Sequence, residues 1–364
     1  MVGSGELASA RDGIEQLSRA RMRPGELLRE AAAVVQQVVP SVAGCLATLD
    51  PATAIITGVA KEGALAGHNE ADAHWAQIEY GGDDPTAMRT LVVRRRTAVG
   101  VRNEFGGEAE RSLRMAELLV PQFGFHDEAR VVFADSTGAW GSMAMFRGSD
   151  DPAFAPDEVD FLAAIAPAMT RGIRSGLLAD PVDPDAEPVH GSGVIILDAT
   201  DRVVRTTPWA QEQLARLAPG PVTVDPLTIV HSLVGRVRRS AGDPTAPPAR
   251  VRVRATDGSW LVLCATPLNG GHGEDVVVTI EEARPHDVVD LVAAAFGLTL
   301  RERDVVDLVL RGSDTRTIAS RLHLSPYTVQ DHLKAIFDKA GVASRGQLVA
   351  RVYFDHYEPR LAVP

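Results

Sequence analysis

The side chains with most to offer chemically lie between positions 325 and 340, and they offer hydrogen bonds and charge rather than bond-making. Val329, Leu333, Ile336 and Ala340 recur at steps of four, three and four, which places them on one face of a helix. Tyr327, Gln330, Asp331, Lys334 and Asp338 then point outward. A Gln amide can pair with both major-groove atoms of adenine, and an Asp carboxylate can accept from the cytosine amino group. This helix is therefore the one expected to enter the major groove of double-stranded DNA. Plainer alternatives stand beside that reading: Asp331 and Asp338 as solvated acids, Tyr327 as a cover for the preceding turn. The spacings that catalysis needs are absent. The sequence holds no GxxxxGK[ST] phosphate cradle, no GxSxG elbow and no HExxH pair among its scattered histidines. No catalytic residue, metal or cofactor is expected, and the chain reads as non-enzymatic.

A recognition helix works only if neighbours hold it. Thr299 with Glu302 three residues later is a capping box, in which two orphan amides are satisfied reciprocally. Val305, Leu308 and Val309 give the buried stripe, and Gly312 stands where that helix ends. A short second helix after Asp314 carries Ile318, Ala319 and Leu322. His323-Leu324-Ser325-Pro326 makes the turn; Ser325 caps the third helix and Pro326 fills its first position, where no amide hydrogen is required. Gly341 ends it, and a fourth helix from about Ser344 carries Leu348, Val349 and Tyr353.

The run Leu298-Thr299-x-Arg301-Glu302-Arg303, then Ile318-Ala319-x-x-Leu322-x-Leu324-Ser325, then Thr328-Val329-x-x-His332-Leu333-x-x-Ile336-x-x-Lys339-x-Gly341-Val342-x-Ser344-Arg345 resembles the LuxR-type DNA-binding domain. The resemblance implies a helix-turn-helix whose third helix lies in the major groove, a dimer contact through the last helix, and half-sites related by a two-fold axis. By position it implies that Thr328, Val329, Lys334 and Arg345 touch phosphates or bases. Ser325, Tyr327, Gln330, Asp331 and His332 complete the expected surface, with His332 either a phosphate contact or a helix-packing residue. One departure matters: many members of the family carry Lys after the Thr-Val pair, where this chain has Gln330 and then Asp331. That shifts the expected base preference and predicts weaker phosphate affinity.

Upstream, the patterning predicts an α+β multidomain chain. Residues 1–19 read as a loose arm. A helix over 24–39, strands over 42–49 and 54–59, helical stretches over 71–93 and 111–123, a hairpin over 126–147 and an amphipathic helix over 157–178 follow. With Trp140-Gly141-x-Met143-x-Met145-Phe146-Arg147 and Phe154-x-Pro156-Asp157-Glu158, residues 20–178 resemble a GAF domain, which implies an antiparallel sheet between helices that senses a small molecule. Residues 179–191 form a Pro- and acid-rich linker by composition. Strands at 193–198 and 202–207, a helix at 208–217 and late strands at 250–254, 259–266 and 275–280 resemble a PAS-like α/β sensor domain over 192–284, and 285–364 is the all-α, four-helix helix-turn-helix region. Arg250, Arg252 and Arg254 alternate with valines, as on a half-exposed strand.

The net charge of −11 excludes a chain that grips nucleic acid by bulk electrostatics. From Leu298 onward ten Arg and Lys meet eight Asp and Glu, so the acidity lies upstream. Two distant cysteines, Cys45 and Cys264, form no zinc spacing or disulfide framework, and no run is apolar enough for a membrane span, which predicts a cytoplasmic protein. Asp198 follows apolar strand residues as a phospho-acceptor does, but the acidic pair and parallel rhythm of a receiver domain are missing. His68 and His74 suit surface positions better than haem ligation. An effector pocket is expected among Cys45, Ala47, Trp75, Trp140, Met143 and Met145, sized for a small organic molecule, with Cys45 as a buried thiol. Binding there is expected to re-pose the helix 157–178 and the segment 284–296. The expected function is a one-component DNA-binding transcription regulator, a homodimer with double-stranded DNA and RNA polymerase as partners. The alternatives are an interaction scaffold and a GAF-containing signalling enzyme with a helical tail.

Overall fold

Alternation on the strands and 3.6-residue periodicity on the helices produce two antiparallel sheets followed by a helical cluster. The computed structural model describes residues 3–178, 191–217, 225–240, 249–268 and 275–353. The linker expected over 179–191 lies outside them apart from Gly191.

The first unit runs α1 (Ser4–Arg19), α2 (Pro24–Gln36), β1 (Ala43–Leu49), β2 (Ile56–Gly63), α3 (Asp72–Gly81), α4 (Met88–Val93), β3 (Ala98–Gly100), α5 (Val101–Glu104), α6 (Val120–Phe123), β4 (Phe125–Asp135), β5 (Gly138–Gly148) and α7 (Pro156–Gly176). Its sheet has the order β2-β1-β5-β4-β3, with Cys45 opposite Ala144 and Ala47 opposite Ser142. Leu46, Met143, Met145, Val131 and Phe133 face a layer in which α2 and α7 contribute Leu27, Leu28, Ile165 and Met169.

Three expectations change here. The loose arm over 1–19 is a helix: Leu7, Ala10, Ile14 and Leu17 keep helical spacing, and Ile14 is fully buried against the first core. Its docking on α7 is close enough that a Cβ on Gly172 would meet Ser18 Cα at 3.0 Å. The helical stretch over 71–93 is broken into α3 and α4, because Gly81-Gly82 and Pro85 interrupt it; a Cβ on Gly82 would meet the Ile78 carbonyl oxygen at 2.8 Å. The stretch 111–123 is a π-helical turn over Met115–Leu119 running into the short α6.

The second unit comprises β6 (Gly193–Leu197), β7 (Val203–Thr206), α8 (Pro208–Leu217), α9 (Pro226–Arg239), β8 (Ala249–Arg254), β9 (Trp260–Pro267) and β10 (Val276–Glu282), in sheet order β7-β6-β10-β9-β8. Helix α9 was not foreseen, although Asp225 caps it, Pro226 opens it, and Ile229, Val230, Leu233, Val234 and Val237 form its buried stripe. It packs on α3 so closely that a Cβ on Gly235 would meet the Ala76 carbonyl oxygen at 2.6 Å.

The arginines of β8 follow the expected alternation, but each reaches a different partner. Arg250 pairs with Asp287. Arg252 binds the buried Asp50 of the first unit through its backbone amide and Nε, both at 2.9 Å, and through Nη2 at 2.6 Å. Arg254 donates to the Leu177 carbonyl and stacks over Trp260. The strand therefore fastens the second unit to what precedes and follows it.

The C-terminal cluster is α10 (Pro285–Ala295), α11 (Leu300–Leu310), α12 (Thr315–Leu322), α13 (Pro326–Ala340) and α14 (Arg345–Tyr353). Its core runs on from Leu291 and Val292 through Val305, Val309, Ile318, Val329, Ile336 and Leu348. Among the described residues no helix is long and apolar enough to cross a membrane.

Candidate nucleic-acid interface and effector cavity

Local caps set the pose of α13. Thr299 accepts from the Glu302 amide at 3.3 Å while Glu302 accepts from the Thr299 amide at 2.7 Å, closing the predicted capping box on α11. Asp314 caps α12 by accepting from the Thr317 amide at 2.7 Å. Between α12 and α13 the chain turns at His323, whose φ of 53° is left-handed. Ser325 Oγ accepts from the Thr328 amide at 3.0 Å and lies 2.8 Å from Thr328 Oγ1. Gly341, with φ 67°, ends the helix.

Val329, Leu333, Ile336 and Ala340 are buried, which turns the opposite face to solvent. Tyr327 is 73% exposed. Gln330, Asp331, Lys334 and Asp338 are exposed, Thr328 and His332 half-buried. Two expected contacts have other duties. Val329 has no exposed surface and belongs to the domain core, so its side chain cannot touch DNA in this conformation. Arg345 donates from Nη2 to the Ser313 carbonyl and, at 3.4 Å, to that of Val309, tying α14 to the end of α11. Two cations were overlooked: Arg316 and Arg321 sit exposed on α12, beside the turn. Their spacing of five offered no signal by itself; their place on the helix preceding the turn did.

Lys339, at the surface, ties α13 to α11, with Nζ at 2.8 and 2.6 Å from the two Glu302 oxygens. Burial pushes the Glu302 carboxyl up, but the Lys339 and Thr299 hydrogen bonds outweigh it and hold the group below the usual carboxylate range. A depressed folded value stabilises above the unfolded pKa of about 4.3 and loses that contribution as pH falls through the folded value. Glu302→Gln is expected to cost about 1–3 kcal/mol and to flatten the acid side of the cluster's stability profile. Amide exchange in α11 and α13 as a function of pH measures both, and an unchanged profile would show that the pair is idle.

In the first unit a cavity of about 60 Å³ lies between the β1–β5 face and α3. Cys45, Ala47 and Trp75 line it as expected, but Trp140, Met143 and Met145 do not. All three belong to the α2–α7 layer: Met143 and Met145 because successive strand residues point to opposite faces, and Trp140 because the register shifts between Phe133 and Ala134, opposite its part of the strand. Ser142, Ala144 and Phe146 take their place, joined by Lys61, Asp72, Tyr80, Glu128 and Arg130. Burial pushes the Cys45 thiol up to about 12, so it is a neutral wall group. His68 also borders the cavity and lies 2.8 Å from Glu70, whereas His74 lies 3.3 Å from Glu117 at the surface. Behind the cavity, Arg114 and Arg130 share Glu79, Asp84 and Glu128 at 3.0–3.4 Å, all of them almost fully buried.

Residues 297–352 match the model of the bacterial regulatory proteins, luxR family, and α11–α14 are a LuxR-type helix-turn-helix domain. An HTH-type transcriptional regulator of Mycobacterium bovis is 56% identical over 52 residues, which are 14% of this chain and 6% of that one. The spore germination protein GerE of Bacillus subtilis is 40% identical over 55 residues, 15% of this chain and 74% of that one. The chain thus spans only a small part of the mycobacterial relative. Among solved structures, that of a phage VqmA-DPO complex is 18% identical, covering 46% of this chain and 83% of that one, with a TM-score of 0.25, too low to define a common architecture.

Proposed function

We propose that this chain is a transcription regulator that binds double-stranded DNA as a homodimer through the outer face of α13, under the control of a small-molecule effector. The carrying observation is that face: the buried stripe of α13 fixes its orientation, and Tyr327, Gln330, Asp331 and Lys334 are left in solvent. Thr328 and the Ser325 hydroxyl lie at its N-terminal end, where the amides of a helix favour a phosphate. Arg316 and Arg321 on α12 are placed for the flanking backbone, as the first helix of such a motif crosses it.

The two sheet-bearing units support a reading as GAF-like and PAS-like sensors. The route to the DNA-binding domain is physical: α10 is held by Arg250 through Asp287, and Gly297 at its end lies against Arg174 of α7. An effector changes DNA affinity only by binding two arrangements of these contacts unequally.

Selection of duplexes from a random pool by the full chain, followed by footprinting, tests the proposal. The expected product is a pair of inverted half-sites about one helical turn apart, ~34 Å centre to centre. No enrichment over the starting pool at low salt would refute DNA recognition.

A further inference from the structure

The cavity beside α3 is shared between the two sensory units. Thr228, on α9, forms part of its wall and donates from Oγ1 to one Asp72 oxygen, while the other Asp72 oxygen holds Lys61. At ~10–15 Å³ of such space per water centre, the cavity has room for several waters or, because bonded atoms lie closer together, for one small ring. Much of the lining is apolar, from Ala47, Val59, Trp75, Met88, Leu118 and Phe146.

Two polar atoms of the wall residues, both on the Arg130 guanidinium, are left without a hydrogen-bond partner among the described residues. Arg130 is 1% exposed; its Nη2 donates to Glu79 at 3.0 Å, its Nε makes only an ion-pair contact with Glu128 at 3.4 Å, and Nη1 has neither a hydrogen bond nor an ion pair among the described residues. A buried donor without an acceptor is destabilising, so an occupant that supplies an oxygen is favoured. Charge narrows the class further. Arg114 and Arg130 face Glu79, Asp84 and Glu128, leaving one carboxylate in excess, and Lys61 cancels Asp72. An anion meets that excess. An amine meets Lys61 and Arg130, and finds the Asp72 and Glu128 oxygens already engaged.

We propose that the cavity binds a small uncharged organic molecule, about one ring in size, whose oxygen accepts from Arg130 Nη1, and that Thr228 makes the second unit part of the site. This deepens the effector reading above and rests on it for its regulatory meaning. Contact with both units also means that the occupant favours the docked arrangement of α9 on α3.

Titration calorimetry of the full chain with four matched probes tests this: cyclopentanone, methylenecyclopentane, cyclopentanecarboxylate and cyclopentylammonium. The ketone is expected to bind about tenfold or more tighter than the alkene, as a hydrogen bond from a charged donor requires, and the two ions to bind weakest. Arg130→Met combined with Glu128→Gln preserves the single excess carboxylate and is expected to bind ketone and alkene alike. Ala144→Leu fills the cavity and is expected to lose both probes while keeping a cooperative melting transition. Equal binding of ketone and alkene by the unaltered chain, tighter binding of either ion, or no binding of any probe would overturn the proposal. The titration contains no DNA, so it separates the two claims: cyclopentanone that binds without changing DNA affinity leaves the site standing and refutes its regulatory use.

Discussion

Arg114→Met is expected to lower the stability of the first unit by about 3–5 kcal/mol, the range for breaking a buried ion cluster from one side. Arg114 has no exposed surface and holds Glu79 at 3.3 Å, Asp84 at 3.4 Å and Glu128 at 3.2 Å, besides donating to Thr86 Oγ1 at 2.7 Å. Methionine fills a similar volume but leaves Glu79 and Glu128 with Arg130 as their guanidinium partner and Asp84 with the Thr86 and Ser112 hydrogen bonds and no cation among the described residues. The loss is a large fraction of the ~5–15 kcal/mol by which domains are ordinarily stable. Urea melting followed by circular dichroism reads the loss directly. Adding Glu128→Gln removes one of the stranded charges and is expected to recover part of it, with a coupling of about 0.5–3 kcal/mol for neighbours in one network. A single-variant loss below about 1 kcal/mol would mean that the cluster relaxes into solvent, contrary to its burial.

On the DNA side, Gln330→Ala and Lys334→Ala are expected to differ in kind. Gln330 is exposed on the outer face of α13 and suits a base edge, so its removal is expected to weaken binding to the selected site about tenfold or more and to relax the preference at one position of each half-site. Lys334, exposed and without an ion pair among the described residues, suits a phosphate. Its removal is expected to weaken every duplex similarly and to reduce the salt slope by about 0.9 per contact. The same face carries Asp331 and Asp338, so non-specific binding is expected to be weak and discrimination to rest on few contacts. Anisotropy titrations over a salt series, with selected and scrambled duplexes, separate the two effects; identical losses on both duplexes for Gln330→Ala would remove it from base reading.

The helix-turn-helix was legible because its determinants are local. Thr299 and Glu302, Ser325 and Pro326, and Gly341 each fix a helix end through partners a few residues away. Val329 and Arg345 were assigned by position in a family pattern; in the structure the first is packed in the domain core and the second donates to backbone carbonyls 32 and 36 residues away. Upstream, the strands were legible from alternation, but the cavity face was not. Cys45 and Ala47 fix which face is lined, yet Met143 and Met145 are of the other parity in the β1–β5 register, and only that register makes the mismatch visible. Ion clusters leave almost no sequence signal, since Glu79, Asp84, Arg114, Glu128 and Arg130 read as ordinary surface residues until tertiary packing joins them. The β8 arginines are the same case, with Asp50 lying 202 residues from Arg252.

The most direct test of the DNA-binding account changes the DNA rather than the protein. Purines of a selected half-site can be replaced singly by their 7-deaza analogues, which remove the N7 acceptor from the major groove and leave Watson–Crick pairing intact. The account predicts an affinity loss of about 1–3 kcal/mol at a few adjacent positions of each half-site, and no further loss at the Gln330-contacted position when the duplex is titrated with Gln330→Ala. Undiminished binding to every substituted duplex would contradict an α13 that reads the major groove.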